Sequence, residues 1–245
     1  MNDTGFDYDS VPGDYQFRVM SSGPGLQRFW HRNKIRVVDQ VIEVTSCDCV
    51  AEVGCGAGNL ILHFGSRAGA VIGIDISREA LRFCKRRASI EGINNALFLQ
   101  SSGYAVSLAD NSVDELLFVE VIEHLQCPRD FLGELYRVLR PGGKMFVTTP
   151  NYCSFWPVLE WTLDLFGLTP KMVDEQHISR FTPRRLAAVL RSAGFQITRL
   201  GTFYILSPLV QFVSSSFAAR LSIHELGWKS RMGLLIYCLA TKPDE

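Results

Sequence analysis

Glu52, Gly54, Gly56 and Gly58 alternate with Val53, Cys55 and Ala57 at the end of the apolar run 49–53. Glycines at this spacing let a backbone turn tightly and come close to a ligand. The N–H groups at the start of a following helix then favour a polar or anionic group. The pattern differs from the dinucleotide fingerprint G-x-G-x-x-G, because the third glycine comes one residue early and Asn59 stands where glycine is required. No Gly-Lys-Ser or Gly-Lys-Thr follows, so a P-loop is excluded, and no tyrosine has a lysine four residues on, which excludes a short-chain dehydrogenase pair. Asp75 ends the next apolar run, where a carboxylate accepts ribose hydroxyl hydrogens. Glu52 beside the turn opposes a pyrophosphate. Together these residues ask for a ligand with a sugar, positive charge and no phosphate.

The elements that position these residues alternate. Strands are expected over 49–53, 70–74, 96–99, 113–119 and 144–149, with the last two over 195–201 and 234–241. Between them the apolar spacing predicts helices over 59–67, 78–90 with Ser77 as N-cap, a stretch opening at Pro128, and one opening at Pro183 after Thr182. Pro141-Gly142-Gly143 is expected to stop the helix that opens at Pro128. This rhythm implies an α/β fold, doubly wound around a mostly parallel seven-stranded sheet. A single domain is expected, with an N-terminal helical segment over 1–47, a cofactor-binding core over 48–151, a helical cap over 152–194, and last strands over 195–245. The stretch 205–232 is an apolar insertion in that last part.

The motifs resemble those of the class I S-adenosylmethionine-dependent methyltransferases, in particular the ubiquinone- and menaquinone-type small-molecule branch. Glu52-x-Gly54-x-Gly56-x-Gly58 matches its first motif and Asp75 its ribose acid. Asp110-Asn111-Ser112-Val113-Asp114, Val121-Ile122-Glu123-His124-Leu125, Arg137 to Gly143 and Thr149-Pro150-Asn151 match further signatures. The resemblance covers 48–151 well and 181–195 moderately. It implies S-adenosylmethionine as cofactor, whose sulfonium and ammonium suit the acidic surroundings, and a cofactor set of Glu52, Gly54, Cys55, Gly56, Gly58, Asp75, Ile76, Ser102 and Glu120. Ser102 stands where the family carries an aspartate for the adenine amino group, and a neutral hydroxyl is the weaker acceptor.

The same resemblance points to His124 and His177 as catalytic candidates and to His31 and Arg180 as acceptor contacts, and the apolar run 152–168, read as a lid, adds Trp156. Each has a plainer reading: His124 as an orienting group, His177 and Arg180 as a surface loop, His31 and Trp30 as core packing, and Glu120 as a solvated strand-end charge. The run 152–168 is apolar round most of its girth, so it must be covered, either as core, as a dimer helix or as a lid over the acceptor. Its two charges, Glu160 and Asp164, share one stripe. The uncharged run 202–219 holds Pro208, Gln211 and three serines, and is expected to be buried or surface-lying rather than membrane-spanning.

Composition narrows the partners. The 245 residues are 47% hydrophobic and 20% charged, enough for a core. Lys plus Arg and Asp plus Glu both count 25, and this zero balance argues against a nucleic-acid partner. Seven scattered cysteines with no C-x-x-C pair fit neither a disulfide framework nor a zinc site, so no metal is expected, and they point to a reducing, cytoplasmic setting. Asp3, Asp7 and Asp9 make the start unlike a signal peptide. The expected activity is methyl transfer to a small, apolar acceptor, on oxygen, with peripheral membrane contact or a homodimer as accompanying expectations. The alternatives are a protein or nucleic-acid methyltransferase and a methyltransferase-like binding protein without turnover.

Overall fold

A computed structural model describes residues 8–165 and 177–244, with the backbone alone for residues 160 and 163–165. The expected Glu160/Asp164 stripe and the end of the 152–168 run therefore lie outside the described side chains or residues. The strands are β1 (Cys49–Val53), β2 (Ala70–Asp75), β3 (Ala96–Gln100), β4 (Val113–Val119), β5 (Leu139–Pro150), β6 (Gln196–Phe203) and β7 (Leu235–Thr241). The helices are α1 (Tyr15–Ser22), α2 (Gly25–Val41), α3 (Ile61–Phe64), α4 (Arg78–Glu91), α5 (Pro128–Val138), α6 (Trp156–Leu165), α7 (Pro183–Ser192), α8 (Ser207–Val210) and α9 (Ser215–Glu225).

The seven strands form one sheet in the order β3-β2-β1-β4-β5-β7-β6. Neighbours from β3 to β5 run parallel, while β7 is antiparallel to both β5 and β6. The order reverses between β1 and β4, which places a ligand crevice at their carboxyl ends. Successive side chains feed opposite faces: Val50 and Leu117 join the core under α2, α3, α4 and α9, whereas Ala51, Leu116 and Phe118 join the core under α5 and α7. Because both faces are covered, the central strands read as nearly continuous apolar runs.

Ser77 and Thr182 cap α4 and α7, accepting from the backbone N–H of Ala80 and Arg185, and Pro128 and Pro183 occupy the first turns of α5 and α7. Three expectations change. The helix over 59–67 shrinks to the single turn of α3, closed by Gly65. Pro141-Gly142-Gly143 does not end α5, which stops at Val138; these residues lie inside β5. Leu139 pairs with Val113, and the register shifts before Lys144 meets Glu115. Gly142, at φ 72°, makes that irregularity. Finally, α6 is not fully covered, since Phe155, Val158 and Trp161 are exposed among the described residues.

Glu115 on β4 is a charge sunk into the sheet with a weak answer. Its Oε1 lies 3.5 Å from the Lys144 ammonium, and its Oε2 has no hydrogen-bond partner among the described residues. Burial pushes its carboxyl up to about 7 against the pull of Lys144. A carboxyl raised on folding costs nothing below its ordinary range, and the cost grows as pH rises through the folded value. Glu115→Gln should therefore melt higher than wild type at about pH 8.5, by no more than about 3 kcal/mol, with the two converging near pH 5. Thermal scans at both pH values check this; a lower-melting variant at the higher pH would show that the Lys144 pair outweighs desolvation.

Candidate active site

The turn after β1 needs glycine for two reasons. Gly54, Gly56 and Gly58 take φ of 75°, 48° and 73°, in the left-handed region. A Cβ on Gly54 would also meet the Val121 side chain at 2.5 Å, and one on Gly58 would meet Cys84 Sγ at 2.8 Å. Gly54 and Cys55 N–H both donate to the Ile74 carbonyl, at 2.8 and 3.1 Å. Asp75 closes the arrangement: Oδ2 accepts from Gly56 N–H at 2.8 Å and Oδ1 from Ser77 N–H at 2.9 Å. Asp75 is thus the clasp of the glycine turn, and Ser77 is the helix cap. Burial raises the Asp75 carboxyl while those N–H groups hold it down. Ile76 is half-buried beside it, and its carbonyl accepts from Gln100 at 3.1 Å. Cys55 is buried.

Glu52 lies under the turn and accepts from Ile61 N–H at 2.9 Å, capping α3 from the preceding strand. Burial drives its carboxyl well up. In front of the turn is a cavity of about 130 Å³ lined by Gln16, His31, Lys34, Glu52, Asn59 and Glu120, among others. The Lys34 ammonium is ion-paired with Glu120, and Trp30 Nε1–H donates to Glu120 at 3.3 Å. Burial alone would raise the Glu120 carboxyl; Lys34 first, by charge and hydrogen bond, and then the Trp30 hydrogen bond hold it below its ordinary value, so it is a carboxylate. Burial, then the Lys34 charge, push His31 down to about 4, so its ring is neutral. Glu120 also holds φ 54°, a left-handed position unusual for a side chain of its kind.

This cavity offers the Glu120 carboxylate, the Glu52 carboxyl and the Lys34 ammonium together, beside a carboxylate at the tip of β2. It fits an amino-acid tail carrying both an ammonium and a carboxylate, joined to a sugar at Asp75. Two acids near the turn do not suit a pyrophosphate. S-adenosylmethionine has that charge pattern. Gln16 of α1 lies against Gly56, and as the far end of a flexible side chain it can give way. Ser102 Oγ, the expected adenine contact, is half-buried and accepts from Tyr104 N–H at 3.3 Å.

A second group of residues adjoins the first through Trp30, whose ring lies 5.7 Å from that of Trp156. A short 3₁₀ turn after β4 carries Glu123 and His124. The segment entering α7 is tied to this turn: Ser179 N–H donates to the Glu123 carbonyl at 2.8 Å and its hydroxyl to the Leu125 carbonyl at 2.9 Å. His177 is thereby brought to 5.4 Å from His124, ring to ring, and 6.1 Å from Trp156. Its Nδ1 shares a 2.9 Å hydrogen bond with the Tyr152 hydroxyl. Trp156 Nε1–H is buried with no hydrogen-bond partner among the described residues. Arg180 is exposed, its guanidinium 5.5 Å from the Tyr152 ring centre and outside the cavity.

Glu123 is buried and accepts from Thr149 Oγ1 at 3.0 Å; burial, then the Glu120 charge, push its carboxyl up to about 8. Donor atoms of Glu123, His124 and His177 all lie within 4.8 Å of one another. Two imidazoles and a carboxylate form a set that divalent transition metals accept. Cysteine spacing gave no sign of it, because the set combines residues 53 positions apart. Lys34 and Gln16 were also missed. The one local signal for Lys34 was its place one turn from Trp30 on the same helix.

A doubly wound sheet with this turn, acid and cavity defines a class I methyltransferase. A family model described as a methyltransferase domain matches residues 51–147. A probable S-adenosylmethionine-dependent methyltransferase of Mycolicibacterium smegmatis is 30% identical over 184 residues, covering 74% of this chain and 66% of that one. A mitochondrial ubiquinone biosynthesis O-methyltransferase of Dictyostelium discoideum is 30% identical over 165 residues, 62% of this chain and 50% of its own length. The chain thus spans two thirds or less of these two relatives. The methyltransferase solved in complex with the Haloferax volcanii Trm112 activator superposes with a TM-score of 0.67, at 18% identity, covering 95% of each chain. Residues 51–147 of this chain are a methyltransferase domain, and the relatives that this domain resembles give S-adenosylmethionine as the cofactor.

Asp75→Ala should weaken S-adenosylmethionine binding by roughly ten- to a hundredfold, the worth of a charge-assisted hydrogen bond. Because the same carboxylate clasps Gly56 and Ser77, the melting temperature without cofactor should fall as well. Calorimetric titration and thermal scans test both; a loss of affinity below threefold would assign Asp75 to the clasp alone. Gly56→Val, strained at φ 48°, should abolish binding in the same titration.

Proposed function

We propose that the protein methylates an oxygen atom of a small, apolar acceptor. The observation that carries this reading is the buried Trp156 N–H beside His177, which has no hydrogen-bond partner among the described residues. A buried donor without a partner is rare in folded proteins and suits a ligand oxygen. The residues of this chain then divide the work. Glu52, Lys34 and Glu120 hold the amino-acid tail of the cofactor, with Asp75 at its sugar. When bound, S-adenosylmethionine supplies an electrophilic methyl group on a good leaving group. Trp30 and Trp156 wall the acceptor side and exclude water. Trp156 N–H orients the acceptor oxygen. His124 or His177 takes the hydroxyl proton, as an oxygen nucleophile requires. Tyr152 fixes the His177 ring through Nδ1.

Several facts support an apolar, small acceptor over a polymer. The acceptor side is aromatic, the chain has no net charge, and a relative is named for ubiquinone biosynthesis O-methylation. The clustered donors of Glu123, His124 and His177 favour a second reading of the same pair. Held there, a divalent cation would bind acceptor oxygens and lower their pKa in place of a base.

The test is methyl transfer from labelled cofactor into cell extract, followed by solvent partition. Label should enter the organic phase. His177→Ala should lower turnover by about a hundredfold or more, the usual contribution of a general base, and leave cofactor affinity within a factor of two. Label in protein or RNA would replace this reading with a polymer methyltransferase, and cofactor binding without any labelled product would replace it with a binding protein. Equilibrium dialysis with manganese or zinc separates the two histidine readings. Stoichiometric binding lost in both His124→Ala and His177→Ala favours the cation, and no binding favours the base.

A further inference from the structure

The segment between β6 and β7 leaves large apolar side chains in water. Around the α8–α9 junction Leu209 is 66% exposed, Phe212 75%, Val213 90% and Phe217 58%. Soluble surfaces scatter such residues singly, and a contiguous group marks a contact. The charges around it have one sign. Between residues 205 and 232 the charged side chains are Arg220, Glu225, Lys229 and Arg231. Glu225 is buried, its carboxylate accepting the N–H groups of Ile205, Leu206 and Ser207 and the Ser207 hydroxyl, at 3.1, 2.7, 2.8 and 2.8 Å. The three cations are exposed.

This segment lies along α2, joined by Asn33 to Ser222 at 2.6 Å and by Gln211 to the Gly25 carbonyl at 3.5 Å. Arg28, Arg32 and Arg36 recur every four residues on α2 and are exposed. Arg36 and Arg220 rim a surface groove of about 470 Å³ that Ala219 and Ile223 also line. The face is therefore an apolar tip with a cationic border.

We propose that this face docks on an anionic lipid surface, Phe212, Val213 and Phe217 entering the acyl boundary while Arg28, Arg36 and Arg220 meet headgroup phosphates. Charge complementarity selects this occupant. Across a twofold axis the cationic border would meet a second cationic border, cation against cation, whereas an anionic leaflet attracts every one of these arginines. Docking extends the apolar-acceptor reading and rests on it for its purpose, because the opposite side of α2 carries Trp30, His31 and Lys34 into the site. Its readout, vesicle binding, is separate from methyl transfer.

The test is co-sedimentation of the full chain with vesicles of phosphatidylcholine alone and of phosphatidylcholine with phosphatidylglycerol. Binding is expected to the anionic vesicles only, weakening as salt is raised. Arg36→Gln and Arg220→Gln should each weaken it about fivefold. The double change Phe212→Ser with Val213→Ser should weaken it at least roughly tenfold. All variants should melt and bind cofactor like wild type. No binding, equal binding to both vesicle types, or variants that bind like wild type would overturn the proposal. So would a dimer in sedimentation equilibrium that the double change dissociates. Vesicle binding without transfer to any apolar product would count against the acceptor reading alone. Transfer in detergent without vesicle binding would count against docking alone.

Discussion

One carboxylate joins the two turns on which the cofactor site is built. Asp75, at the end of β2, accepts from Gly56 in the turn after β1 and from Ser77 at the start of α4. Without that clasp the Gly56 N–H, which the Ile74 and Cys55 carbonyls do not answer, would lose its partner at a half-buried sheet end, which is costly. With it, Gly54 to Gly58 hold one shape and the following turn of α3 begins where Glu52 can cap it. A structural acid is thereby placed where a ribose-binding acid is needed. The two roles are compatible, because each carboxylate oxygen has two lone pairs and one is committed.

The second dependency runs through α2. Its residues 30, 31 and 34 face the cavity while 28, 32 and 36 stand in water, so one helix has both a site face and an exposed cationic face. Asn33, wholly buried, bonds Ser222 on α9, and the Tyr204 hydroxyl donates to the Trp30 carbonyl at 2.9 Å. The segment after β6 therefore braces the helix that supplies Lys34 to Glu120. The apolar stretch that ends β6 and enters α8 is structural at Phe203 and Tyr204, which are buried, and from Leu206 onward it alternates, with Ser207 and Pro208 buried and Leu206, Leu209, Phe212 and Val213 exposed.

What the sequence disclosed was local. Glycine spacing, an acid at a strand end, and Ser77, Thr182, Pro128 and Pro183 at helix starts each express a constraint within a few residues of backbone, so they were legible. Partnerships across the chain were not. Lys34 and Glu120 are 86 residues apart, Tyr152 and His177 are 25 apart, and no periodicity connects either pair. The glycines after α5 were misread as a simple stop, because a bulge and a helix end need the same residue. The apolar girth of α6 argued for complete cover, and a half-buried Trp156 beside exposed Phe155 and Trp161 shows that composition does not say which face is met. Arg180 lay near the right residues in sequence yet reaches the surface side of Tyr152.

Glu120 connects the cofactor side to the acceptor side electrostatically. Its left-handed φ turns the chain sharply at the end of β4, so that Glu120 meets α2 while Glu123 and His124, three and four residues on, meet the segment before α7. Lys34 keeps Glu120 charged, and that charge in turn helps keep Glu123 protonated. The second group is then a neutral carboxyl, two imidazoles and an indole N–H, a lining in keeping with the proposed apolar acceptor bearing one or two oxygens. Were Lys34 absent, burial would drive Glu120 toward its neutral form, and the positive-charge preference of the cofactor side would fall with it. The lysine that no motif announced therefore sets the charge on both sides of the site.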